Sequence, residues 1–146
     1  MAKKHRVLAF GTFDGLHPGH LHYLEQAKKF GEELTVVIAR DTRVKKIKLR
    51  EPILKENERK KLIQALKPVD KTVLGNKNGA IFEVLKKLKP EVIVLGYDQQ
   101  PSTEKLREEL KKRGIKAEIK RVKALNAGKF KSSKLKNKII RQMNFS

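Results

Sequence analysis

Apolar residues fall in short blocks along this chain, and the blocks alternate between two periods. Val7-Leu8-Ala9-Phe10 is an unbroken apolar run ending at Gly11, and Leu34-Thr35-Val36-Val37-Ile38-Ala39 is a second. Runs of this length, bounded by polar or turn residues, predict strands buried on both faces. Lys71-Thr72-Val73-Leu74, Glu91-Val92-Ile93-Val94-Leu95-Gly96 and Ile115 to Val122 predict three more. Between the strands the spacing widens to three and four. Pro18 stands at a first helical position, Leu21, Leu24, Ala27 and Lys28 follow at helical spacing, and Gly31 stops the helix. Glu56 to about Leu66 predicts a helix with Leu62, Ile63 and Leu66 inward. Ala80 to Leu88 predicts another, ended by Pro90, and Ser102 to Arg113 a third, led by Ser102 and closed by Gly114. A last helix is expected from about Lys134 to Met143. The stretch Arg40 to Lys55, broken by Pro52, reads as a long basic loop.

The order is therefore βαβ, a long loop, then αβαβαβα. Such alternation predicts an α/β fold with a parallel sheet covered on both faces. Right-handed crossovers make it a doubly wound, five-stranded sheet with a C-terminal helix. No repeat or low-complexity linker divides the chain, so residues 1–146 read as one domain. In such sheets ligands bind at the carboxyl ends of the strands, where the strand order reverses. The residues just after each strand are the ones to inspect.

Composition narrows the chemistry. The 146 residues include 36 Lys plus Arg, 16 Asp plus Glu and no Cys, for a formal charge of +20. Without cysteine, disulfides, thiolate metal sites and cysteine nucleophiles are excluded, which fits a cytoplasmic protein. No apolar run approaches the ~20 residues of a membrane span, and no signal peptide is read at the start. The charge predicts an anionic partner. It is concentrated in two places: Lys120 to Ser146, with nine basic residues and no acid, and Arg43, Lys45, Lys46, Lys48 and Arg50. A nucleic-acid-binding protein would explain the charge, but helix-turn-helix, zinc-finger and aromatic RNA-binding signatures are absent. With 5% aromatic residues, stacking platforms are scarce, so nucleic acid is not the expected partner.

The first strand ends in Gly11-Thr12-Phe13-Asp14-Gly15-Leu16-His17-Pro18-Gly19-His20. This is neither a dinucleotide fingerprint nor a Walker A loop. It sets two histidines three residues apart at a helix N-terminus, where free N–H groups and the helix dipole favour anions. A histidine metal site is the competing reading, but helical metal pairs more often use a spacing of four, as in H-E-x-x-H.

The segment resembles the signature of the cytidylyltransferase-like nucleotidyltransferases, G-x-F-D-x-x-H-x-G-H. Further similarity lies at Val44-Lys45-Lys46-Ile47-Lys48, Glu58-Arg59, Val69-Asp70 and Val94-Leu95-Gly96-Tyr97-Asp98-Gln99. Taken over its whole length the chain most resembles the archaeal-type FAD synthases of that superfamily. The resemblance implies a Rossmann-like sheet and transfer of AMP from ATP to the phosphate of FMN, giving FAD and pyrophosphate. The alternative is a CTP-dependent cytidylyltransferase acting on glycerol 3-phosphate or a similar small acceptor.

By the same resemblance His17 and His20 are donors to the α- and β-phosphates, Lys46 (or Lys45) reaches phosphate across the transition state, and Arg59 binds the leaving phosphates. Nucleotide contacts are expected from Gly11, Thr12, Phe13, Gly96, Asp98, Lys131, Ser132 and Ser133. Mg²⁺ or another divalent cation is implied, with Asp14 as its ligand, and a homodimer is expected. Each residue also has a plainer reading. Lys45 and Lys46 fit a solvated loop, Arg59 a helix-face ion pair with Glu56 or Glu58, and Asp14 a turn residue bonding its own backbone. Ser132 or Ser133 fits a helix cap, and Tyr97 either packing or stacking. The chain departs from the cytidylyltransferase form R-T-x-G-I-S-T near its end, where Lys129 and Lys131 supply the charge instead.

Overall fold

The computed structural model describes residues 5–77 and 81–123. Within them lie five strands: β1 (Arg6–Gly11), β2 (Glu33–Ile38), β3 (Lys71–Leu74), β4 (Val92–Leu95) and β5 (Glu118–Arg121). The helices are α1 (Pro18–Lys28), α2 (Asp41–Lys48), α3 (Glu56–Gln64), α4 (Ile81–Leu88) and α5 (Thr103–Lys112). All strand pairs are parallel, in the order β3-β2-β1-β4-β5. The expected doubly wound α/β sheet is therefore present, and its order reverses between β1 and β4. The predicted C-terminal helix, with Lys131, Ser132 and Ser133, lies outside the described residues.

Period-two alternation sorts the strand residues into two cores. Val7, Ala9, Leu34, Val36, Ile38, Val92 and Val94 meet α1 and α3 through Leu24, Ala27 and Ile63. Leu8, Val37, Ile93 and Leu95 meet α4 and α5 through Leu85, Leu106 and Leu110. One inward assignment is corrected: Leu62 is 44% exposed, since it lies off the apolar stripe that touches the sheet.

A larger correction concerns the expected basic loop. Its first half is α2, whose N-cap Arg40 has extended backbone and whose Val44 is buried. One inward apolar side chain in eight residues is too weak a period to predict a helix. The helix ends at Leu49 in a left-handed conformation (φ 56°). A polar network described below, more than apolar burial, holds it.

Candidate active site

The turn from β1 to α1 is built from unusual backbone. Phe13 (φ 54°) and Gly15 (φ 92°) both lie in the left-handed region. Phe13 is nevertheless buried, and its ring lies against Gly11, where an added Cβ would stand 2.5 Å from ring carbons. Gly11 thus admits another part of the chain rather than only a ligand.

The turn delivers His17 to the N-cap of α1. Gly19 N–H donates to His17 Nδ1 (3.1 Å), and His17 N–H donates to His20 Nδ1 (3.3 Å), a reciprocal capping box. With both Nδ1 atoms accepting, each neutral ring carries its proton on Nε2. The rings stack 3.8 Å apart at 20°, and Phe13 meets His20 edge-on at 5.3 Å. Burial holds the His17 pKa below its ordinary 6.5, favouring the neutral donor form. The first turn of α1 contains no acidic residue, so nothing there opposes an anion.

Arg59 is placed differently from expectation. Its side chain is wholly buried, with Nε donating to Leu54 O (3.0 Å), Nη1 to Thr12 O (2.8 Å) and Nη2 to Asp41 Oδ1 (2.6 Å). A guanidinium so enclosed does not reach leaving phosphates; it ties the Thr12 turn to the start of α2. Its acidic partner is Asp41, neither Glu56 nor Glu58. Glu56 instead receives Arg40 Nη1 (2.8 Å) and Asp41 N–H (2.9 Å), while Arg40 Nε donates to Gly75 O (2.7 Å). Asp14 has distant backbone partners. Its carboxylate, 2% exposed, accepts Ile53 N–H and Leu54 N–H, both at 2.9 Å, and lies 3.5 Å from Arg50 Nη1. Each oxygen accepts from the 53–54 backbone, so the carboxylate ties the turn to the segment ahead of α3. Among the described residues no three His, Cys, Asp or Glu side chains are gathered in a way that could hold a metal.

Across the sheet, side chains part the strands at the switch point. The β1–β2 register continues to Gly11–Ile38, whereas β1–β4 stops at Ala9–Val94. The next parallel bridge would join Phe10 N–H to Val94 O and Gly96 N–H to Phe10 O. Tyr23 takes the first place: its hydroxyl accepts Phe10 N–H (3.2 Å) and donates to Val94 O (2.6 Å). Gln99 takes the second: its Oε1 accepts Gly96 N–H (3.0 Å) and its Nε2 donates to Phe10 O (3.1 Å). Two polar side chains thus replace two ladder bonds and open a crevice with the four backbone groups of that bridge satisfied. Arg121 fixes the loop beyond. It donates to the carbonyls of Gly96 (2.5 Å), Gln99 (3.0 Å) and Pro101 (3.1 Å) and to Thr103 Oγ1 (3.1 Å).

The structure therefore gathers Gly11, Thr12, Phe13, His17 and His20 in one turn, with Gly96 across the parted strands. It leaves Lys46 exposed on α2 and Asp98 exposed after β4. Lys45 pairs with Glu51 at 3.0 Å. Sequence reasoning missed Tyr23, Asp41, Gln99 and Arg121. The signal for Arg121 was its phase with Ile119 on β5, which places it on the same face of the sheet.

Comparison with known proteins agrees with this geometry. The cytidylyltransferase-like family model matches residues 8–139, and the chain belongs to that family. It is 51% identical over 119 residues to the FAD synthase of Ferroglobus placidus, covering 82% of this chain and 76% of the relative. It is 46% identical over 138 residues to the FAD synthase of Archaeoglobus profundus, covering 94% and 85%. Within the family it therefore stands with the FAD synthases. Among solved structures, a lipopolysaccharide core biosynthesis protein from Thermoplasma volcanium superposes with TM-score 0.81 at 41% identity, covering 85% of this chain and all of that one. Pantoate-beta-alanine ligase from Francisella tularensis shares the fold alone, with TM-score 0.65 at 15% identity over 92% of this chain and 65% of that one.

Proposed function

We propose that the protein is an FMN adenylyltransferase. An oxygen of the FMN phosphate attacks the α-phosphorus of ATP, the bond from that phosphorus to the bridging oxygen breaks, and FAD and pyrophosphate result. The attacking oxygen is already ionised at neutral pH, so no general base is needed. Catalysis is then positioning and charge stabilisation. The observation that carries the reading is the capped histidine pair, with two Nε2–H donors held at a helix N-terminus that repels no anion. Thr12 and Phe13 shape this turn, and Gly96 borders the crevice on the far side. Lys46, Asp98, Lys131, Ser132 and Ser133 are proposed to close on the nucleotide when it binds.

A divalent cation accompanies a triphosphate in chemistry of this kind. Mg²⁺ is our choice, carried by the nucleotide rather than by Asp14. We also propose a homodimer working in the cytoplasm; among the described residues no helix is long and apolar enough to cross a membrane. The test is a matrix of ATP or CTP against FMN or glycerol 3-phosphate, read by product mass. FAD from ATP plus FMN is expected. A cytidylylated product alone would reverse the assignment, although relatives at 42–52% identity are named FAD synthases.

A further inference from the structure

The parted strands open onto a cavity of about 240 Å³ on the α4/α5 side of the sheet. Its floor is apolar and buried: Val37, Leu95 and Leu106. Val84 of α4 forms a half-buried wall, and Gly11 and Thr12 bring the cavity to the strand end that leads into the histidine turn. None of these apolar residues is needed to bind a triphosphate. A small, hydroxylated acceptor such as glycerol phosphate would leave the floor against water, which favours a larger, ring-bearing acceptor.

The rim adds charge. Arg43, exposed on α2, lines the cavity and makes no ion pair among the described residues. Its neighbours do: Arg40 is held by Glu56 and Lys45 by Glu51. Gln100 contributes a carboxamide, which can both donate to and accept from a ring edge carrying C=O and N–H groups, beside the carboxamide of Asn76, which donates to Glu83. An apolar slot, carboxamides and one uncommitted guanidinium match a planar heteroaromatic ring with an anionic tail.

Resting on the adenylyltransferase reading, we propose that this cavity is the acceptor site: it takes the isoalloxazine ring of FMN, and Arg43 takes the FMN phosphate. Arg43 is thereby the residue that distinguishes FMN from unphosphorylated riboflavin.

The test is quenching of flavin fluorescence on titration of the whole protein with FMN and with riboflavin, without ATP. The variants are Arg43→Ala and Val84→Phe, with thermal melts as the folding control. Arg43→Ala should weaken FMN about tenfold to a hundredfold and leave riboflavin unchanged, the effect of losing one charge-assisted contact. Val84→Phe should weaken both flavins at least tenfold while binding of a fluorescent ATP analogue stays as in wild type. Arg43 is at the surface, so its variant reads the site even where Val84→Phe fails to fold. Wild-type affinity for FMN in Arg43→Ala, or equal weakening of FMN and riboflavin there, overturns the assignment. Failure of the wider reading looks different: wild-type protein would then make no FAD, whatever its flavin titration shows.

Discussion

Tyr23→Phe tests whether the crevice is held open by a side chain. The substitution removes one oxygen and little volume, so the packing of α1 on the sheet is kept. What is lost is the bridge from Phe10 N–H (3.2 Å) to Val94 O (2.6 Å). Each buried backbone group left without a partner costs about 1–3 kcal/mol. The strands avoid that cost in full by closing to bond directly, which narrows the crevice. An intermediate response, with water entering from the crevice and relieving one group, leaves one penalty, about 1–3 kcal/mol. For a chain of this length that is a fall of roughly 3–10 °C in Tm. We expect this fall together with a severalfold rise in KM for ATP, measured by thermal melts and initial rates of FAD formation.

A second signature is the alkaline limb of stability. Burial raises the Tyr23 pKa above its ordinary 10.0. A raised acid keeps its proton in the folded state, so its stabilisation is complete below pH 10 and declines as pH rises above it. Tyr23→Phe should lack that part of the decline. Unchanged Tm and unchanged KM in Tyr23→Phe would refute the idea that the hydroxyl spreads the strands.

Three further outcomes test other parts of the site. His17→Ala and His20→Ala should each lower kcat about 10²–10³-fold, the loss seen for one preorganised donor, and near-normal turnover in both removes their assigned role. His17→Asn should retain more stability than His17→Ala because an amide oxygen can still cap Gly19 N–H; in wild type, the stability tied to the neutral ring is present above pH 6.5 and lost as pH falls through the lowered folded value, and His17→Asn should flatten that limb in Tm against pH. Arg59→Ala should destabilise by about 3–5 kcal/mol in urea unfolding because it strands Asp41 and two carbonyls, whereas an unaltered midpoint with weakened pyrophosphate binding would restore the direct phosphate role. Gly11→Ala should cost about 1–3 kcal/mol by driving a methyl group into the enclosed Phe13 ring, and a wild-type melt would show that the ring can move.

The features legible in the sequence were those written in local spacing. Alternation of apolar runs with helical periods set out the five strands, and the spacing of His17 and His20 around Pro18 marked the turn at the start of α1. What stayed hidden depends on partners far along the chain. Asp14 is 39 and 40 residues from the N–H groups it accepts, and Arg59 is 47 from the Thr12 carbonyl. A charged side chain carries no sequence mark of whether it faces a substrate or another part of the chain. In both cases the plainer reading was closer in kind, and the partner it named was wrong or unspecified. The α2 helix was missed for a related reason: with Val44 as its one buried side chain, its stability comes from Arg40, Asp41, Glu56 and Arg59.

The same distinction changes how the charge is read. Arginines and lysines contribute alike to +20, but the arginines near the crevice are largely spent inside the protein. Arg40, Arg59 and Arg121 together donate to six backbone carbonyls, and each forked head is suited to holding several acceptors at once. They make the site rigid and add no free cation at its surface. A lysine, with one compact head, does not span the separated carbonyls that Arg59 and Arg121 each hold. Among the described residues the cations left for substrate near the crevice are consequently fewer than the total suggests, and they sit on α2. Of these Lys45 is paired with Glu51, while Arg43 is uncommitted among the described residues and lines the cavity. Loss of charge at Arg43 should therefore matter more to the acceptor than loss of any single exposed lysine, although both change the net charge equally.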